Sequence, residues 1–516
     1  KGNDVLMVSG SDSHGTPVTL EAEQQQVSPE EIFIRNHTEF LDYWNRLGIS
    51  FDLFTSTHTE NHVAMVQDMF LTLQKNGYIY KDTMSQPYCE NDARFLADRY
   101  VEGTCPNCEF DGARGDQCDN CGRTLDPEEL VNMTCRICKN TPVIKETEHF
   151  FLKLSAFEDR LLEWIKTQKH WKPNVRNFSI GYLERGLHDR AITRDIEWGV
   201  PLPMDGFDSK RIYVWFEAVI GYLSASIEWA KSLDDETRWS DFWKKESRAY
   251  YFMGKDNIPF HTIIWPAMLM GYGGLNLPYD VPANEYLNLD GLKLSTSRSW
   301  AIWLPDYLDR YESDPLRYVV AANMPETSDS DFSWREYVRR NNDELVATYG
   351  NLVHRVLTMT YRNFDQRVPK SGNLDSIATQ LLEEADRRFD EVGTNVAACR
   401  FRAGLNSAMA LAQATNRYLD EKAPWRALKD NKQDAATTLW VALSVINCLK
   451  IILYPFLPFS SEKLHRMLGF DGDVRDQGWT WQKNDLKVTQ KIPFPEPLFA
   501  KLDETVIEHE AQRIGH

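Results

Sequence analysis

Six of the nine cysteines stand as three Cys-x-x-Cys pairs between Cys105 and Cys138. Cys105/Cys108 and Cys118/Cys121 are separated by a nine-residue loop rich in Gly and Asp. Each pair can turn two thiolates toward one ion, and two pairs complete the tetrahedral four-sulfur shell that zinc prefers. Four protein ligands leave no open position, so the predicted role is structural. So short and polar a segment has little apolar material of its own to fold around. A second set, Cys89, Asp92, Cys135 and Cys138, offers three sulfurs and one oxygen. A carboxylate is the poorer match to such a shell, and three free thiols explain the same residues. Cys399 and Cys448 lie in apolar helical surroundings and are expected in the core.

Three further segments place polar groups where loops leave strands, the position at which open α/β sheets bind ligands. Asp12, in Gly10-Ser11-Asp12-Ser13-His14-Gly15-Thr16-Pro17, can take the ammonium of a small substrate or cap the next helix. Gly254-Lys255-Asp256 combines a residue that allows close backbone approach with a carboxylate suited to ribose hydroxyls. Asp290-Gly291-Leu292-Lys293-Leu294-Ser295-Thr296-Ser297-Arg298 is a small-residue loop able to bring a lysine and several hydroxyls onto phosphates, or to stand as a solvated turn.

These segments need a scaffold. A strand is expected over Val5–Val8, then helices over Pro29–Arg46, with Ser28 as cap, and His62–Asn76. Helical period disappears over 82–145. Strand runs are predicted at Ile212–Phe216 and Tyr250–Met253, and strands spaced by helices favour a mostly parallel sheet. Beyond about 336 the period is helical: Leu345, Tyr349, Leu352, Val356 and Met359 trace one buried face. The fold class is therefore α/β, with a Rossmann-like parallel-sheet part, an inserted knuckle module and an all-α bundle. The chain has 516 residues, 42% apolar and 26% charged, with a net charge of −18. That excludes a disordered chain and a polycation that coats nucleic acid or membrane. Nucleic acid remains only as a shaped, specific partner. The run Val441–Phe459, broken by Asn447, Lys450 and two prolines, reads as a core helix rather than a membrane span. The start has no signal-peptide plan. With the reduced cysteine pairs, this points to the cytoplasm.

KLSTS resembles the KMSKS signature of class I aminoacyl-tRNA synthetases, and its surroundings resemble the methionyl branch. GSDSHGTP, ETEHFF, RDIEWGVPLP, YVWFEAVIGY, FMGKDNIPFH, IIWPAML, DPLRYVVAANMPETSDSDFSW, GNLVHR and EKAPW follow in family order. The family's HIGH motif is expected upstream of Lys1, so the chain reads as a catalytic domain that lacks its first strand. Thr296 replaces the second lysine of the signature, which weakens the charge available to leaving pyrophosphate. Val219 stands where bacterial members often have proline.

The resemblance implies ATP-dependent activation of methionine and transfer to tRNA(Met), initiator tRNA included, with Mg²⁺ accompanying ATP and structural zinc. It assigns the amino-acid site to Asp12, Trp215, Ala218, Val219, Tyr222 and His261. ATP would be held by Gly254, Asp256, Tyr286 and Leu287, with Lys293, Ser295, Thr296 and Ser297 closing on its phosphates. Asn351, Arg355, Pro424 and Trp425 would read the anticodon. The implied segments are 1–81 and 201–285 for the catalytic fold, 82–200 for the connective module, 286–340 for the loop and stem region, and 341–516 for the bundle. Two rivals are a leucyl, isoleucyl, valyl or cysteinyl relative and a non-catalytic tRNA-binding descendant. The stretch between Thr83 and Arg194 is too short and cysteine-rich for the large editing insertion of the first three.

Overall fold

A computed structural model describes residues 2–515 except 97, 116, 117, 119, 122–124, 126 and 296–298. Strand β1 (Val8–Ser11) lies parallel to β2 (Leu53–Ser56), with Gly10 opposite Thr55. A side chain at Gly10 would stand 2.8 Å from the Thr55 carbonyl oxygen, so only glycine permits this approach. Parallel neighbours need a crossover, here α1 (Thr16–Gln25) and α2 (Pro29–Arg46). The start of α2 follows its sequence. Ser28 Oγ accepts from the Glu31 N–H at 3.2 Å, and Pro29 fills the first position, where a missing N–H costs nothing. Helix α3 (Glu60–Lys75) follows β2, capped by Thr59, and buries Val66, Met69, Phe70 and Leu73.

Two strand expectations are corrected. The first strand runs Val8–Ser11 rather than Val5–Val8, because pairing begins only where Leu53 comes opposite Val8; Val5 is left exposed. Ile212–Phe216 is not one strand. Extended pairing ends at Ile212, and Val214–Glu217 winds into a helical turn leading to the helix Gly221–Ser232. An apolar run enclosed on all sides carries no period that separates strand from helix. In Tyr250–Met253, Tyr250 bridges Asp280 and only Met253 belongs to a strand.

The described residues fall into two compact units, Asn3–Asp42 with Ser50–Ala283, and Tyr43–Ile49 with Asn284–His516 and the first two residues. In the first, the long antiparallel pair Ile79–Cys89 and Val143–Leu152 leads to a small sheet ordered Asp111–Arg114, Val101–Thr104, Val131–Cys135. In the second, Leu287–Leu289 lies antiparallel to Leu292–Lys293 and parallel to Ser330–Phe332, and helices follow. The predicted stripe holds: Leu345, Tyr349, Leu352 and Val356 are fully buried and Met359 packs beside them. Helix Lys432–Leu453 is long and apolar enough to cross a membrane, yet 94% of its apolar window is buried inside the fold. A helix that is apolar all round is a core helix here. Cys399 and Cys448 are both buried, as expected.

Candidate active site and metal centres

Asp12 follows directly on β1. Its turn is fastened twice: the Ser13 N–H donates to Thr57 Oγ1 at 2.9 Å, and the Trp198 indole N–H donates to the Ser13 carbonyl at 2.7 Å. Asp12 is exposed on the surface of its turn. Desolvation and the nearby Glu217 push its carboxyl up to about 7, with His14 offsetting part of the rise. Glu217 is fully buried; burial raises its carboxyl, and it accepts from His14 Nδ1 at 2.8 Å. This contact ties the Asp12 turn to the Trp215–Tyr222 segment. Helix Gly221–Ser232 packs on both β1 and β2, and its Glu228 accepts from the Thr55 hydroxyl at 3.0 Å.

Within that segment, the Tyr222 hydroxyl and His261 Nε2 are 2.8 Å apart, and His261 Nδ1 lies 2.9 Å from the Asn257 carbonyl. Burial holds this imidazole down at about 4, so it is neutral. The carbonyl can only accept, which places the single proton on Nδ1 and leaves Nε2 to accept from the tyrosine. Trp215 stacks on Phe260 with ring centroids 4.4 Å apart, and Tyr222 meets Tyr251 edge-on at 4.9 Å. Val219 is buried and Ala218 half-buried. The structure thus brings Tyr222 and His261 together directly and joins Trp215 to them through Phe260. Gly254 ends a short strand with open space where a side chain would stand, and Asp256 is exposed in the turn that follows.

In the second unit, Asp290 and Gly291 form a two-residue hairpin turn between Leu289 and Leu292, with φ of 48° and 77°. Both angles lie in the left-handed region that this turn type requires. The Gly291 N–H donates to Asp331 Oδ1 at 2.7 Å. Lys293 is exposed, its Nζ 4.5 Å over the Tyr286 ring, and Leu287 lies on the central strand. Ser295 and Trp300 exchange backbone bonds of 3.0 and 2.9 Å, which closes the loop. Thr296 and Ser297 lie outside the described residues. On the bundle, the Arg355 guanidinium sits 5.2 Å over the Trp425 ring and 3.5 Å from Asp420. Trp425 is exposed, Pro424 is buried at the start of its helix, and Asn351 is exposed one turn before Arg355.

The cysteine sets close as their spacing predicts. In the first, Cys105 and Cys121 sulfurs are 3.9 Å apart and Cys108 and Cys118 sulfurs 3.6 Å. Thiolates about 2.3 Å from a tetrahedral zinc stand about 3.8 Å from one another. In the second, the Cys89 and Cys138 sulfurs are 3.4 Å apart, and Asp92 Oδ2 lies 3.2 Å from Cys89 and 3.1 Å from Cys135. In both sets all four ligand atoms lie within 4.8 Å of one another, so each could hold a metal ion.

The family profile described as tRNA synthetases class I (M) matches residues 1–357, and the anticodon binding domain of methionyl tRNA ligase matches 368–516. The chain belongs to the methionyl-tRNA synthetase family. It is 56% identical over 515 residues to the methionine–tRNA ligase of Dehalococcoides mccartyi, covering 100% of this chain and 93% of that one. It is 52% identical over 543 residues to that of Thermomicrobium roseum, covering 100% and 92%. The Mycobacterium tuberculosis methionyl-tRNA synthetase bound by methionyl-adenylate superposes with a TM-score of 0.80 at 26% identity, covering 96% of this chain and 92% of that one. Membership in this family sets aside the leucyl, isoleucyl, valyl and cysteinyl rivals.

Sequence reasoning overlooked Glu217, His14, His62 and Phe260. A signal was present for the first: Glu217 is the lone charge inside the apolar run YVWFEAVIGY. A charge in such a run is either misplaced or paired, and here it is paired.

Proposed function

We propose that this methionine–tRNA ligase activates L-methionine with Mg²⁺-ATP to methionyl-adenylate and pyrophosphate, then transfers the methionyl group to the 3′ end of tRNA(Met), initiator tRNA included. The observation that carries the assignment of the amino-acid site is the His14–Glu217 contact, which joins the Asp12 turn to the Trp215–Tyr222 segment.

Ionised Asp12 takes the substrate ammonium. The side chain lies among Trp215, Ala218, Val219 and Tyr222, and ring contacts with a thioether sulfur are worth roughly 0.3–1.5 kcal/mol. His261, neutral and held by Tyr222, presents no charge that would repel a thioether. The carboxylate attacks the α-phosphate, and positioning with charge stabilisation lowers the barrier. Gly254 and Asp256 receive adenosine, and the family resemblance assigns Tyr286 and Leu287 to ATP as well. Lys293, Ser295, Thr296 and Ser297 meet the phosphates, for which Lys293 leaves the Tyr286 ring. Mg²⁺ bound with ATP would supply neutralisation of the phosphate charge. Cys105, Cys108, Cys118 and Cys121 hold a structural zinc, and Cys89, Asp92, Cys135 and Cys138 a second ion. Asn351, Arg355, Pro424 and Trp425 receive splayed anticodon bases. The cytoplasm, where thiols stay reduced, suits the knuckles.

Methionine-dependent ATP–pyrophosphate exchange by the full-length protein is the direct test. Exchange is expected with wild type and is reduced at least tenfold in KM terms by Asp12→Asn, at about 1.4 kcal/mol per tenfold. No exchange from a folded wild-type protein would remove the reading.

A further inference from the structure

Glu217 lies between two imidazoles, those of His14 and His62. Burial holds His14 down at about 4, so its ring carries one proton. That proton sits on Nδ1, facing Glu217 Oε1 at 2.8 Å, and Nε2 must accept from His58 Nδ1 at 3.2 Å. On the other side, His62 Nδ1 is 2.8 Å from Ser224 Oγ, and His62 Nε2 faces Glu217 Oε2 at 3.7 Å. The Ser224 hydroxyl itself donates to the Gly221 carbonyl at 3.2 Å. His58 in turn stacks on Trp198, centroids 4.7 Å apart, and Trp198 fastens the Ser13 carbonyl. Glu217 therefore secures the Asp12 turn through His14, which leads on through His58 and Trp198 to the Ser13 carbonyl.

We infer that Glu217 is a positioning residue for amino-acid activation: it locks the turn that carries Asp12 and sets a second negative charge behind it, so that the site selects its substrate's ammonium group. This rests on the reading of Asp12 as the ammonium acceptor. Desolvation and, after it, the Coulombic influence of Glu217 raise the Asp12 carboxyl. The other titratable groups around the pair, among the described residues, are His14, His58 and His62, with Glu30 3.9 Å from His58, His37 2.8 Å from Ser11 and Glu228 beyond Thr55.

The test is the pH dependence of kcat/KM for methionine in pyrophosphate exchange. Wild type should lose activity as pH falls through about 7, because protonated Asp12 cannot hold an ammonium. Glu217→Gln keeps the shape: its oxygen accepts from His14, its amide faces His62, and Ser224 keeps its bond to the Gly221 carbonyl. It should move the acid limb down by roughly half a unit or more, and raise KM several-fold with kcat little changed. Glu217→Asp keeps the charge but cannot reach both imidazoles, so its limb should stay while KM rises. A Gln limb overlaying wild type, or an Asp limb that moves, overturns the inference. If the Gln variant does not fold, Glu217→Asp decides, and an unchanged KM overturns it. Absence of exchange in wild type would strike the functional reading instead.

Discussion

Among the described residues, the buried cluster of the knuckle module takes ten side chains from the module, four of them cysteines, and Leu20 from α1, whereas the single helix Lys432–Leu453 buries eighteen residues. The module's sheet strands are four or five residues long, and its loops contribute little apolar surface. Such a set offsets little of the chain entropy of its own ordering, and the proposed ligand bonds to metal would supply the difference. The bundle needs no such staple. Two regions of one chain therefore differ in what holds them, and that difference can be attacked from either side.

The largest expected effect follows from Cys118→Ala or from chelation. Structural zinc sites contribute roughly 10–16 kcal/mol at neutral pH. Residues between Cys89 and Cys138 should become sensitive to limited proteolysis, followed by peptide mass mapping, while the bundle stays resistant. Equal digestion of both regions would mean that the module leans on something other than metal. The reverse experiment is Leu449→Ala, which removes a fully buried side chain from the central helix. A loss of about 2–5 kcal/mol is expected, read as a lower bundle melting temperature with zinc content unchanged.

The bundle also carries a surface that its core does not explain. Trp425→Ala removes an exposed ring under Arg355 and should leave the melting temperature almost unmoved. Stacking is worth about 1–3 kcal/mol per base, so aminoacylation should fall by roughly 5- to 150-fold while pyrophosphate exchange persists. Equal loss of both activities would place Trp425 in the fold rather than at an RNA.

The same contrast explains what could be read from the chain. Residue type and spacing sufficed where chemistry is local: the clustering of Cys105, Cys108, Cys118 and Cys121, the Ser28-Pro29 helix start and the stripe from Leu345 to Val356. Arg355 and Trp425 meet although seventy positions apart, and only the family resemblance brought them together beforehand. What stayed hidden depends on tertiary enclosure. Val214–Glu217 is a run whose residue types suit strand and helix alike, and the Glu217 network assembles residues from the turn after β1, the start of α3 and the segment before Gly221. No local pattern encodes a carboxylate shared by two imidazoles from distant segments. The resting place of Lys293 on Tyr286 was equally invisible, since the phosphate role alone predicts an extended lysine.

The smallest expected effect distinguishes the two metal sets from each other. The first offers four sulfurs, the second three sulfurs and the Asp92 carboxylate. Zinc accepts carboxylate ligands but binds thiolates more strongly, so the second site should release its ion first. Asp92→Asn removes the ligand charge while keeping its size, and metal content should fall from two ions per chain to one. The Cys105 set should stay filled, and the module should remain folded with a modest drop in melting temperature. Loss of both ions would show that the two sites assemble as one unit, and retention of both would show that Cys89, Cys135 and Cys138 hold their ion without the carboxylate.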